Sequence, residues 1–276
     1  MDHPLQAWRD TLRDLGVEGL VREAAPPPAP AAEPPRPGPE ARPPAPPRPG
    51  APPSPRPAPP VPAAGPYMPP PGPVACPPPE AVASAASLED LHRLVEGCLA
   101  CPLGPGRLRF VFGEGDPSAR MLFVGEGPGR DEDLQGRPFV GRAGELLDRM
   151  IGALGLQREQ VYIANVVKCR PPDNRTPTPD EARACLGILH RQIHLVNPGV
   201  IVTLGATPLR ELAGEAQGVT KVRGQWRQVQ VGGRTYPVMP TFHPAYVLRQ
   251  YTPEVRRAVW QDLQAAKAWL DRPGGA

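Results

Sequence analysis

Aromatic residues make up only 5% of this 276-residue chain, lysine occurs three times, and no run of apolar residues is long enough to span a bilayer. A membrane helix needs about 20 consecutive apolar residues. No charged leader with an apolar centre and a small-residue cleavage site opens the chain either, so a cytoplasmic protein without a membrane partner is the expectation. There are five cysteines, Cys76, Cys98, Cys101, Cys169 and Cys185. In a reducing compartment, Cys98-x-x-Cys101 with two further cysteines reads as metal ligation, while Cys76 sits in a proline tract and reads as a bystander. The loop Gly125-x-Gly127-x-Gly129 lacks both the dinucleotide-binding spacing and the Lys-Ser/Thr of a phosphate-binding loop, which argues against a nucleotide cofactor. Charge decides little, because the net +3 permits contact with nucleic acid without requiring it.

Proline is abundant, and it is unevenly placed. Of 45 prolines, 28 fall between Pro26 and Pro79, among Ala, Gly and scattered Arg. Such a segment buries too little apolar surface to offset its ordering entropy, so residues 25–86 are expected to form a disordered, extended linker. Before it, residues 1–24 carry Leu5, Trp8, Leu12 and Leu15 at helical spacing, with Arg9, Asp10, Arg13 and Asp14 on the opposite side. This short amphipathic helix either docks on the domain or binds an unidentified protein partner. Residues 87–276 remain as one domain, expected to be a monomer, with ample length for a core.

Within that domain, short apolar runs alternate with helical patterns. Met121–Val124, Val161–Val167, Val200–Leu204 and Tyr236–Thr241 read as buried strands, and Val219–Val231 as a hairpin. Helices are expected from Ser87, from Ala143, from Thr178 to about Leu195, and from Pro253 to Leu270. The pattern implies a three-layer α/β/α fold around a central, mostly parallel four-stranded sheet, preceded by the disordered Pro-rich segment. The glycine loop then sits at the carboxyl end of a strand, where such sheets bind ligands. Four thiolates could hold either a structural zinc or an iron-sulfur cluster, and spacing alone does not separate the two.

Four segments, taken in order, are more specific than any one of them. They are Cys98-x-x-Cys101, Gly125-Glu126-Gly127-Pro128-Gly129 continuing to Phe139 and Gly144, Asn165-Val166-Val167-Lys168-Cys169-Arg170-Pro171-Pro172, and His243-Pro244-Ala245-Tyr246-Val247-Leu248-Arg249. Together they resemble the family 4, iron-sulfur uracil-DNA glycosylases, over about residues 88–270. The resemblance implies a glycosylase of base-excision repair that flips uracil out of single- or double-stranded DNA and leaves an abasic site, with a four-iron four-sulfur cluster on Cys98, Cys101, Cys169 and Cys185. It further implies a nucleoid-associated enzyme.

The same resemblance distributes roles among the site residues. Phe139 would stack on the base, Asn165 would read its edge, and His243 would contact O2, with Gly125 and Gly127 in the binding loop. An amide can donate to a carbonyl and accept from an imide N–H, so Asn165 would match uracil and mismatch cytosine. Glu126 is assigned to positioning ligand or water and Glu132 to shaping the pocket, while Asp131 and Asp133 read as solvated acids at a helix start. Tyr246, Val247, Leu248 and Arg249 would form a loop that enters the minor groove. The family usually has alanine where this chain has Gly127, a departure that removes no functional group. A relative that becomes covalently trapped on uracil-DNA would carry glutamine there and a histidine-containing insert after Asn165, and this chain has neither. The other alternative is a non-enzymatic uracil-DNA binder with a four-cysteine metal site. Broader base specificity stays open. No lyase step is expected, on the ground that Lys168 stands alone near the motifs with nothing to suggest a lowered pKa.

Overall fold

A computed structural model of the chain describes residues 77–272. The segment 1–24, most of the proline tract and Cys76 lie outside the described residues. Among these, no helix is long and apolar enough to cross a membrane.

The elements in chain order are α1 (Pro79–Ser84), α2 (Leu88–Val95), β1 (Glu114–Gly115), β2 (Met121–Gly125), α3 (Arg130–Gln135), α4 (Arg142–Ala153), β3 (Tyr162–Asn165), α5 (Pro179–Val196), β4 (Val200–Leu204), α6 (Ala206–Ala213), α7 (Val219–Val222), β5 (Arg227–Val231), β6 (Arg234–Thr241), α8 (Pro244–Arg249) and α9 (Pro253–Leu270). The sheet has six strands in the order β1-β3-β2-β4-β6-β5. Its middle four, β3, β2, β4 and β6, are mutually parallel. Those are the four apolar runs of the sequence, and β2, β3 and β4 are buried at every position because helices cover both faces.

The sheet is therefore wider than the expected four strands, by one antiparallel strand at each edge. The strand β1 is two residues long, Glu114 and Gly115, and carries no apolar pattern to announce it. At the other edge, β5 and β6 form a hairpin across Gly232 and Gly233, whose φ values of 57° and 79° suit the tight turn that matches strand twist. The expected hairpin over 219–231 is thus displaced, since its first half is the helical turn α7. A second difference concerns the domain boundary. The helix α1 lies inside the stretch assigned to the linker, with Val82 and Ala85 buried and Arg191 Nε donating to the Ala85 carbonyl at 2.9 Å.

One face of the sheet packs against Leu91 and Val95 of α2 and Leu189 and Ile193 of α5. The opposite face packs against Leu146 and Leu147 of α4 and Leu263 of α9. From β2 the chain moves to β3 on one side, then crosses to β4 on the other, so a crevice opens at the carboxyl ends of β2 and β4. Serine and threonine cap two of the covering helices. Ser87 Oγ accepts from the Asp90 amide, and Thr178 and Glu181 bond reciprocally as a capping box.

Candidate active site

A cavity of about 530 Å³ occupies that crevice, lined by Glu126, Phe139, Asn165, His243 and Arg249 among others. The loop after β2, the end of β3 and the end of β6 thus bring together groups that are up to 117 positions apart in the chain, from Glu126 to His243.

Glycine is required where these pieces touch. A Cβ on Gly125 would lie 2.4 Å from Asn165 Oδ1 and 2.5 Å from Phe139 Cζ, so the absent side chain lets amide and ring close over the strand end. On Gly127 it would lie 2.6 Å from Val167 Cγ2, so Val167 already occupies the space that a side chain there would need. On Gly144 it would come within 1.9 Å of the Phe139 carbonyl oxygen. Backbone cannot yield as a side-chain tip can, so Gly144→Ala should cost roughly 2–3 kcal/mol or more by overpacking, read as a lowered thermal midpoint.

Phe139 is 6% exposed and takes φ 51°, a left-handed conformation that a bulky residue adopts only when its surroundings hold it there. Glu132 is what holds it. Its carboxylate accepts from the amides of Val140 at 2.9 Å, Gly141 at 3.0 Å and Gly129 at 3.1 Å. Both oxygens are thereby committed to the backbone of the two loops that carry the glycines and Phe139. The neighbouring Asp133 corrects the reading of a solvated acid. It is 2% exposed, and its carboxylate accepts from the amides of Leu108 and Arg109.

Asn165 ends β3 at 2% exposure, and its Oδ1 has no hydrogen-bond partner. A buried acceptor left unpaired costs about 1–3 kcal/mol, and Asn165 is one of the residues that line the cavity. Beneath it, the fully buried Lys168 donates from Nζ to the Asn165 carbonyl at 2.8 Å and to Gln192 Oε1 at 2.5 Å. Gln192 passes the network on to the Phe112 carbonyl and Tyr162 hydroxyl. Burial pushes the Lys168 ammonium down to about 8, which removes the premise that nothing lowers its pKa. What keeps Lys168 from acting as a nucleophile is position, since Nζ is enclosed and bound between Asn165 and Gln192.

His243 caps α8, with Nδ1 accepting from the Ala245 amide at 3.1 Å. That bond fixes the neutral tautomer, leaving the proton on Nε2. Burial, reinforced by the Arg249 charge and opposed by Glu132, pushes the imidazole down to about 4, so the ring is neutral at physiological pH. Its ring centroid stands 5.6 Å from that of Phe139, and Gly205 backs it at φ 98°. Across the cavity, the Glu126 carboxylate accepts from Thr207 Oγ1 at 2.6 Å. Thr207 sits at the start of α6, 3% exposed, and sequence reasoning missed it because nothing in Gly-Ala-Thr-Pro marks a partner 81 residues away.

Residues 244–249 correct an expectation: they form the helical turn α8 and not a loop. Val247 is 1% exposed and belongs to the core, so it is withdrawn from the DNA-contacting set. Tyr246 packs on Phe242 at 4.8 Å between centroids, Leu248 is half-buried beside the core, and Arg249 is exposed at the cavity mouth.

The four cysteines of the described residues are all free. Cys169 and Cys185 are buried, and burial pushes their thiols up to about 11 and 12, with Arg107 and Lys168 respectively opposing the rise. Arg107, 7% exposed, donates to the Cys169 sulfur at 3.5 Å and to the carbonyls of Cys98 at 2.6 Å and Glu96 at 2.8 Å. One guanidinium therefore ties the Cys98–Cys101 loop to the loop after β3. No three Cys, His, Asp or Glu side chains among the described residues gather closely enough for a single metal ion.

Residues 112–264 match the family model of the uracil DNA glycosylase superfamily. The chain is 50% identical to a type-4 uracil-DNA glycosylase of Thermotoga maritima over 191 residues, covering 68% of this chain and 96% of that protein. It is 42% identical to a type-4 uracil-DNA glycosylase of Archaeoglobus fulgidus, over 64% of this chain and 90% of that protein. A type-5 uracil-DNA glycosylase of Thermus thermophilus is 36% identical over a shorter stretch, 38% of this chain and 54% of that protein.

Proposed function

We infer, given that this chain belongs to the uracil-DNA glycosylase superfamily, that it is a uracil-DNA glycosylase of DNA repair, hydrolysing the bond between uracil and deoxyribose. The observation that carries the reading at this site is the unpaired, buried Asn165 Oδ1 beside Phe139 and a neutral His243.

A base in a stacked duplex is out of reach, so the nucleotide must swing out into the cavity. There Phe139 offers a ring face, and stacking of this kind is worth about 1–3 kcal/mol. The Asn165 amide accepts from the uracil N3–H and donates to O4. Cytosine presents an acceptor at N3 and a donor at C4, and is mismatched at both atoms. As the N-glycosidic bond breaks, its electron pair passes to the base and negative charge grows on O2. His243 Nε2–H is the donor for that charge, acting in the transition state more than in the ground state. The sugar meanwhile becomes cation-like, and Glu126, oriented by Thr207, steers water to its anomeric carbon. Glu132 shapes the pocket through the backbone that it holds, which leaves Glu126 as the carboxylate with a share in the chemistry. Lys168 offers no path to a lyase step, and the product is an abasic site.

This division of labour separates Thr207 from the fold. Thr207→Val keeps the shape and removes the donor to Glu126, so kcat should fall roughly tenfold, the worth of one hydrogen bond to a charged group, with little change in thermal midpoint. An unchanged kcat would free Glu126 from the role.

Cys98, Cys101, Cys169 and Cys185 suit a four-iron four-sulfur cluster. Four thiolates would equally suit a structural zinc, and it is the resemblance of the four motifs to the iron-sulfur family that favours the cluster. Two buried cations, Arg107 and Lys168, stand ready to offset thiolate charge. The cluster's contribution would be structural, joining the α2 end to the loop four residues beyond Asn165.

The function is tested on an end-labelled oligonucleotide with a single uracil. Strand cleavage at uracil only after alkali supports a glycosylase that leaves an abasic site. A heat-stable shifted band would mean covalent trapping, and neither outcome would leave a binding protein.

A further inference from the structure

A second cavity, of about 580 Å³, shares no lining residue with the first. It is a groove between α1 and α5, closed at one end by the β5–β6 turn, with Val82, Ala83, Ala184, Gly187, Ile188 and Val231 among its walls. Ala83, Ala184 and Gly187 are exposed, so small side chains leave room for an apolar occupant to approach the backbone of both helices. Its polar lining holds Arg183, Arg191, His190 and His194; Arg183 is paired with Asp180 at 2.7 Å, burial favours neutral His190, and Arg191 stays charged while donating to the Ala85 carbonyl.

We propose that this groove is the docking site, within the same chain, for the N-terminal segment that carries Leu5, Trp8, Leu12 and Leu15. The first argument is where the chain enters the fold. Pro77, the first described residue, itself lines the groove, so the chain that precedes the domain arrives at its rim. Residues 24–76 then act as a tether. A coil of that length spans on the order of 40 Å, and a polyproline-rich one more, so the segment can return to the groove without strain. Tethering of this kind supplies an effective concentration approaching millimolar, which lets a contact too weak to form between separate molecules close within one.

Charge gives the second argument. Residues 1–23 hold five acids (Asp2, Asp10, Asp14, Glu18, Glu23) against three arginines (Arg9, Arg13, Arg22), a side-chain balance of −2 that complements a lining whose charge comes chiefly from Arg191. Trp8 is the anchor, because an indole buries about 150–250 Å² at one site. Cys98 lies in the groove wall, so the docked segment covers one flank of the four-cysteine region and leaves the cavity at Asn165 and His243 open.

Amide hydrogen exchange on the full chain tests this, at two protein concentrations, without reliance on catalytic activity. Amides of residues 5–15 should exchange at least tenfold more slowly in the unaltered chain than in the Trp8→Ser/Leu12→Ser full chain. Gly187→Glu fills the groove from an exposed helical position where an added Cβ meets nothing within 4 Å, and should release the same amides equally. Ala184→Glu is a second, independent block, and unchanged protection of β2 and β4 verifies that either variant folds. Free-coil exchange of residues 5–15 in the unaltered chain would overturn the proposal and leave the segment to another partner. Protection that survives both blocking variants would place it elsewhere, and protection lost on dilution would mean docking between two copies.

Discussion

His243→Ala should lower kcat for uracil excision by about 10²–10³, the effect of removing one donor aimed at developing charge, about 2.7–4 kcal/mol. The ring is set for that task before substrate arrives. Its Nδ1 is occupied by the Ala245 amide, so Nε2 carries the proton. Burial and the Arg249 charge keep the imidazole neutral by pushing it down to about 4. Protonating Nδ1 would set two donors face to face. The pH profile of excision should therefore be flat from about pH 8 to pH 5 with respect to this group, with no inflection near the ordinary histidine value of about 6.5. Stability follows the same shift. The folded chain binds fewer protons than the unfolded chain between pH 6.5 and about 4, so this contribution is complete above 6.5 and disappears as pH falls through that window. His243→Ala should flatten that part of the stability curve along with losing excision, which a structural histidine with an ordinary pKa would not do.

Asn165→Ala separates recognition from folding more sharply. Removing the amide would delete both proposed contacts to the uracil edge, and kcat/KM should drop by at least about 10³, a floor below the roughly 10⁴–10⁵ by which a site built to hydrogen-bond a substrate rejects an analogue lacking the partner. The fold should not suffer in proportion. Asn165 Oδ1 has no protein partner, so truncation relieves an unpaired buried acceptor while it opens a small gap, and the two effects oppose each other. A thermal midpoint within a few degrees of the parent is expected. Free uracil should raise the midpoint of the parent and leave that of the variant unchanged, since a ligand stabilises only the form that binds it. A variant that unfolds outright would make Asn165 a structural amide.

Much of this arrangement is legible in the sequence because the central strands are continuous apolar runs punctuated by glycine and proline. Met121–Val124 and Val200–Leu204 could hardly be anything but buried parallel strands, and each ends where the crevice opens. The edge strands carry no such signal. Glu114 and Gly115 pair because the chain before β2 passes alongside β3, a tertiary fact without a local pattern. Lys168 reads as an ordinary lysine in a loop, and only the fold encloses it between Asn165 and Gln192. Glu132 was legible as an acid near the site, but not as the acceptor for three amides of two loops. With α8, six residues are too few to show which face turns inward, so Val247 could not be separated from Arg249 until the packing was seen. The helix α1 was hidden by proline content, although proline at the first position of a helix is compatible with helix formation.

The most direct measurement is single-turnover release of uracil from a uracil-containing oligonucleotide by the unaltered chain and by the Asn165→Ala/His243→Ala double variant, with circular dichroism to verify that both are folded. Excision by the first, with a loss of at least about 10³ in the second, is the predicted result. Equal rates in the two folded proteins would place the chemistry outside this pocket and contradict the assignment.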